Sequence, residues 1–169
     1  MFNSCVAATL VYSESRNLFR GTCPKPQTFM LTIDQTIIDH LIQSASEMLA
    51  RSGDGDNHTV AASIYADDGK LYNGMNLYHF TGGPCAEIVA LARLVSEGDG
   101  IKPLAIVAVA DRERGVIAPC GRCREVLADY CPEIQVVLRT GTGISAVPLD
   151  ELLPHRYVRA PRPEITRIV

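Results

Sequence analysis

Apolar positions recur at helical spacing from Ile33 onward. Ile37, Ile38, Leu41, Ile42, Ala45, Met48 and Leu49 fall on one face of a 3.6-residue repeat. Thr32 and Gln35 have the spacing of a capping box at its start, and the Ser52-Gly53-Asp54-Gly55 stretch ends it. Residues 59–66 and 70–75 read as two strands joined by the turn Asp67-Asp68-Gly69, a hairpin pattern. Gly82-Gly83-Pro84 breaks the chain, and an apolar helix is expected from Cys85 to about Glu97, stopping at Gly98. Residues 104–110 are apolar throughout, as in a central strand covered on both faces. Pro119 introduces a second short helix over residues 121–129. Residues 134–138 form another buried strand, Gly141 and Gly143 mark a turn, residues 145–147 form a last strand, and residues 150–153 a final helical turn.

Hairpin, helix, strand, helix, strand predicts an α/β fold, with helices packed on a mixed sheet of about five strands and right-handed crossovers. Both cysteine-bearing segments then lie where a helix begins. Gly141-Thr142-Gly143-Ile144-Ser145-Ala146 imitates a dinucleotide fingerprint, but Val147-Pro148 follows where a helix is required, so that reading is rejected.

A chain of 169 residues is long enough for one domain with its own core. Residues 1–30 lack a sustained period and carry turns near Pro24 and Pro26. They are expected to be an N-terminal extension to a domain over residues 31–158, with residues 159–169 as a tail. The net charge is −3 and no basic stripe is present, which argues against a nucleic-acid partner. No apolar run approaches the roughly 20 residues that span a bilayer, and the apolar run Cys5–Leu10 has no basic segment before it. Six cysteines, Cys5, Cys23, Cys85, Cys120, Cys123 and Cys131, do not suggest a disulfide scaffold in a chain of this size. They suit a reducing compartment, and a cytoplasmic location is expected.

Three of these cysteines stand in a pattern with chemical content: Cys85-Ala86-Glu87, then Pro119-Cys120-Gly121-Arg122-Cys123. Two thiolates three residues apart on one helical turn can grip one metal ion, and a third from another helix start leaves a fourth tetrahedral position open for water. Helix N-termini favour the thiolate form. Glu87, two residues after one ligand, can face the open position without coordinating the metal. This matches a known signature of zinc deaminases, in its three-cysteine variant. There, zinc brings the pKa of a water from about 15.7 towards 7, and a glutamate moves the protons. Three thiolates leave the site negative, and Arg122, between two ligands, is the first candidate to offset that charge, with Arg124 second. Two other readings use the same cysteines. A structural, non-catalytic zinc module would take a fourth ligand from Cys131 or His79, and a redox pair would use Cys120 and Cys123 alone. Neither needs Glu87 at its offset or the proline before Cys120.

At these residues the sequence resembles the cytidine deaminase superfamily. The stretch from Asn76 to Glu87, Arg114-Gly115, Pro119 to Arg124 and Glu151-Leu152-Leu153-Pro154 resemble in particular its blasticidin S deaminase branch, over about residues 32–157. The resemblance implies a three-layer α/β/α fold, one zinc ion per subunit and a homotetramer in which neighbours wall each pocket. It implies a cytosine nucleoside as substrate, either blasticidin S or, in pyrimidine salvage, cytidine or deoxycytidine. It also implies that Thr59, Asn76, Arg114 and Tyr157 line the substrate pocket and that the backbone N–H of Ala86 binds the ring carbonyl. Tyr78 stands where cytidine deaminases carry the glutamate that holds the ribose. Buried hydroxyls left unpaired cost affinity, so this departure disfavours ordinary cytidine. Arg159 stands where the blasticidin S deaminases carry tryptophan. His79 and Phe80 are expected to pack the loop rather than act in catalysis.

Overall fold

The computed structural model describes residues 33–98 and 100–158. The expected extension over residues 1–30, the tail over residues 159–169, Thr32, Cys5, Cys23 and Arg159 all lie outside the described residues.

Helix α1 spans Gln35–Ser52 and buries Ile38, Leu41 and Ala45. Its cap differs from the expected box. Asp34 is the N-cap, and its carboxylate accepts the Ile37 N–H at 2.9 Å, while the Gln35 amide turns forward to Asp39 at 2.8 Å. A carboxylate at this position both satisfies a free N–H and faces the positive end of the helix, so it prevails over a neutral hydroxyl two residues earlier.

Strands β1 (Val60–Ala66) and β2 (Leu71–Met75) form the expected hairpin. Helix α2 (Ala86–Ser96), strand β3 (Pro103–Ala110), helix α3 (Gly121–Tyr130), strand β5 (Gln135–Thr140), strand β6 (Gly143–Pro148) and the short helix α4 (Leu149–Leu152) follow. Between β3 and α3 lies a three-residue strand, β4 (Gly115–Ile117), which pairs with β3. The strand order is β2-β1-β3-β5-β6, with β4 off that path. The sheet is mixed: β3 and β5 are parallel and the other pairs antiparallel. The Gly141–Gly143 turn leads into β6 and not into a helix, as the rejection of a dinucleotide site requires.

Alternation along the strands divides the apolar side chains between two faces. Ala62, Ile64, Ile106, Ala108, Val136 and Leu138 meet Ala90, Leu91, Leu94 and Leu127 of α2 and α3. Ala61, Ala105, Val107, Val109 and Val137 meet Ile38, Leu41 and Ala45 of α1. The architecture is therefore α/β/α. Each fully buried leucine or isoleucine in these layers contributes roughly 1.5–3 kcal/mol. Helix α2 lies directly on β2 at Gly74, where a Cβ would overlap the Ala90 nitrogen and the Ala86 oxygen. Only a residue without a side chain permits that approach, and it sets the depth of the helix that carries Glu87.

Candidate active site

Cys85 is the N-cap of α2 and Cys120 the N-cap of α3. Cys123 sits one turn into α3 and is fully buried. The Cys85 and Cys120 sulfurs are 3.8 Å apart, those of Cys120 and Cys123 are 3.6 Å apart, and all three lie within 4.8 Å of one another. Sulfurs at about 2.3 Å from a tetrahedral zinc ion would be spaced by about 3.8 Å, close to the two separations from Cys120. Among the described residues no fourth ligand atom joins it. Cys131 is buried in the core, where burial pushes its thiol up to about 12. His79 is engaged with Thr81 through Nδ1, at 2.6 Å from the hydroxyl and 3.2 Å from the N–H.

The thiols respond to crowding. Burial raises Cys85 above the ordinary thiol value. Burial, then the negative charge of Glu87, raises Cys123 strongly. At Cys120 burial also works upward, but the backbone N–H of Cys123 and the sulfur contacts outweigh it, and the net direction is down. Three thiolates beside a carboxylate are costly without a cation, and a divalent ion in their midst reverses that cost.

Glu87 is only 5 % exposed on the first turn of α2, the positive end of that helix. Among the described residues no hydrogen bond reaches its carboxylate. The Cys85 carbonyl accepts the N–H groups of Ile88 and Val89, so those of Ala86 and Glu87 have no helical acceptor and can serve a ligand.

The remaining predicted residues arrange as follows. The Asn76 amide oxygen accepts the N–H groups of Thr59 and Val60, both at 2.8 Å, and its Nδ2 donates to the Asn57 carbonyl at 3.0 Å. Two backbone donors fix the amide's orientation and leave one Nδ2 proton to offer. Thr59 is half-buried at the start of β1, and its carbonyl accepts the Asp111 N–H at 2.9 Å. Arg114 is held by Asp111, with Nη2 at 2.7 Å from its carboxylate. Arg122 donates to the Gly83 carbonyl at 3.3 Å and makes no hydrogen bond to sulfur among the described residues. Tyr157 is 74 % exposed, as are Tyr78 at 69 % and Phe80 at 86 %. Phe80 meets the His79 ring at a centroid distance of 4.4 Å but is otherwise open, so only part of the expected loop packing exists within the chain.

Sequence reasoning undervalued Arg124. Its guanidinium donates to the Pro119 carbonyl at 2.9 Å and the Leu152 carbonyl at 3.0 Å, which ties the Cys120 segment to α4. A cation in the first turn opposes the helix dipole, and that was the signal available. Gly83 also carries the site: a Cβ there would overlap the Leu77 carbonyl, and the Leu77 N–H donates to Pro84 at 3.1 Å.

Comparison with known proteins agrees with this geometry. The family model described as the cytidine and deoxycytidylate deaminase zinc-binding region matches residues 35–138. The blasticidin-S deaminase of Bacillus cereus is 30 % identical over 128 residues, covering 70 % of this chain and 91 % of that protein. The cytidine deaminase of Sporosarcina psychrophila is 38 % identical over 104 residues, covering 58 % of this chain and 74 % of that protein. The crystal structure of cytidine deaminase from Mycobacterium tuberculosis superposes with a TM-score of 0.60 at 27 % identity, covering 72 % of this chain and 98 % of that one.

Proposed function

The chain belongs to the cytidine and deoxycytidylate deaminase family of hydrolytic zinc enzymes, and on that premise we propose that it deaminates a cytosine nucleoside of the blasticidin S type. The observation that carries the chemistry is the buried Glu87 carboxylate beside three converging cysteine sulfurs with no fourth protein ligand among the described residues.

Cys85, Cys120 and Cys123 would hold the zinc ion, which supplies the acidity that brings a water's pKa from about 15.7 towards 7. Glu87 manages the protons. It takes one proton from the water that adds to C4 of the ring and passes it to N3, then takes the second from the resulting C4 hydroxyl and passes it to the amine as the C4–N bond breaks, so that cytosine and water give uracil and ammonia. The Ala86 N–H binds the ring carbonyl from the start of α2. Thr59, Asn76, Arg114 and Tyr157 line the rest of the pocket. Arg122, one hydrogen bond from the loop before Cys85, offsets the negative charge of the thiolates.

Tyr78 supports the choice of substrate. Its N–H donates to the Asn57 carbonyl at 3.2 Å, so the residue sits beside Asn76 on the sugar side of the proposed pocket, yet it carries no carboxylate for ribose hydroxyls. The four cysteines among the described residues are all free of disulfides, which suits a cytoplasmic enzyme. The exposed Leu77, Tyr78, Phe80, Tyr157 and Val158 suit a homotetramer in which neighbours cover them.

Glu87→Gln tests the mechanism. It should retain zinc and lose activity by about 10²–10⁴-fold, and unchanged ammonia release would remove Glu87 from the reaction. A panel of blasticidin S, cytidine and deoxycytidine followed by ultraviolet absorbance tests the substrate. Blasticidin S should have the highest kcat/KM. A preference for cytidine would instead assign the protein to pyrimidine salvage. Tyr78→Glu should move the preference toward cytidine.

A further inference from the structure

The loop after β3 has an unusual backbone. Arg112 and Glu113 are both left-handed, with φ of 52° and 62°, and Gly115 follows at 62°. Two successive non-glycine residues in this region persist only where surrounding contacts hold them. Here those contacts are plain. Arg112 donates to the Gly55 carbonyl at 2.6 Å, and the Arg114 N–H returns to the Asp111 carbonyl at 3.1 Å. The turn brings the Arg114 guanidinium back onto Asp111, with Nη2 at 2.7 Å from Oδ1 and Nε at 3.3 Å from the Asp111 carbonyl.

Asp111 has a second attachment. Its N–H donates to the Thr59 carbonyl at 2.9 Å, so one residue joins two segments that the proposed pocket uses. Its side chain is 16 % exposed, while that of Arg114 is 50 % exposed. The acid is thus partly buried and fixed, and the cation it holds is half-exposed. Asp111 Oδ2 is buried without a hydrogen bond among the described residues, and Arg112 Nε lies 4.0 Å from it. A carboxylate oxygen shielded from water is costly, and the Arg112 charge offsets part of that cost here.

We propose that Asp111 is a positioning residue for substrate recognition: it orients Arg114 through Nη2 and Nε, so that Nη1 presents its two N–H groups to an oxygen-bearing substituent of the nucleoside remote from the reacting ring. The proposal rests on Arg114 lining the pocket. Because that substituent is present before and during reaction, the interaction is uniform binding, which acts on KM and leaves kcat alone.

The test is a double-mutant cycle on the zinc-loaded full chain, using Asp111→Asn, Asp111→Ala, Arg114→Gln and the double variants. The substrate is whichever of blasticidin S or cytidine the wild type turns over faster. Asp111→Asn keeps the side-chain shape and guards against a fold defect, which thermal unfolding also reads. We expect KM to rise about fivefold in Asp111→Asn and more in Asp111→Ala, with kcat within about twofold. On the Arg114→Gln background the Asp111 changes should add almost nothing to KM. If Arg114→Gln leaves KM unchanged, Arg114 is not a pocket residue and the proposal falls with that reading. If Arg114→Gln raises KM but the Asp111 variants do not, or if they act equally on both backgrounds, only the positioning role is overturned.

Discussion

At the scale of single residues, the site rests on side chains whose bonds are directed at backbone. Asp54 takes the N–H groups of Asp56, Asn57 and His58 at 3.0, 2.8 and 2.7 Å and so shapes the loop ahead of Thr59. The His58 and then the Asp56 N–H lower its carboxyl from 3.8 to about 2. A depressed carboxyl adds stability in full above its unfolded value and loses it as pH falls through the folded one. The loop should therefore keep its form through pH 4 and release between about 4 and 2. A carbon-13 NMR titration of Asp54 checks this, and a midpoint near 4 would mean that the three bonds do not persist in solution. Asn76 shows the limit of reading single letters. Its place in the motif was visible, but its service as a clamp between β1 and the loop depends on where Thr59, Val60 and Asn57 come to rest.

At the scale of elements, long periodic segments were legible and short or locally compensated ones were not. Helix α1 declared itself because many residues share one period, and strand β3 because its residues are apolar without a break. Strand β4, Gly115-Val116-Ile117, has three residues and cannot show alternation; it exists because β3 offers it a partner. The α1 cap fell to Asp34 over Thr32 because local hydrogen-bond strength decides such ends. The left-handed turn at Arg112 and Glu113 has no sequence signal, since neither residue favours it. The cysteine spacing was fully legible, because the start of a helix constrains three-residue spacing tightly. The closeness of α2 to β2 leads to a prediction. Gly74→Ala should lift α2 from the sheet and cost about 1–3 kcal/mol of stability, measured by denaturant unfolding. Zinc affinity should weaken with it, because Cys85 moves with the helix while Cys120 and Cys123 remain on α3.

At the scale of the whole molecule, the fold gathers ligands from two crossovers onto one end of the sheet. An ion bound only by the folded chain stabilises it. Chelation should abolish deamination and lower the melting temperature, and one equivalent of zinc should restore both. Loss of activity with an unaltered melting temperature would mean that the ion does not bind the folded chain in preference to the unfolded one. No helix among the described residues is long and apolar enough to cross a membrane.

Cys85 and Cys120 are 35 positions apart, and the intervening stretch includes all of β3, the strand to which β1, β4 and β5 are zipped. During synthesis the first thiol therefore leaves the ribosome well before its companions and must wait, unliganded, while the middle of the sheet is made. Capture of the ion by all three sulfurs therefore comes late, after the central strand has been made.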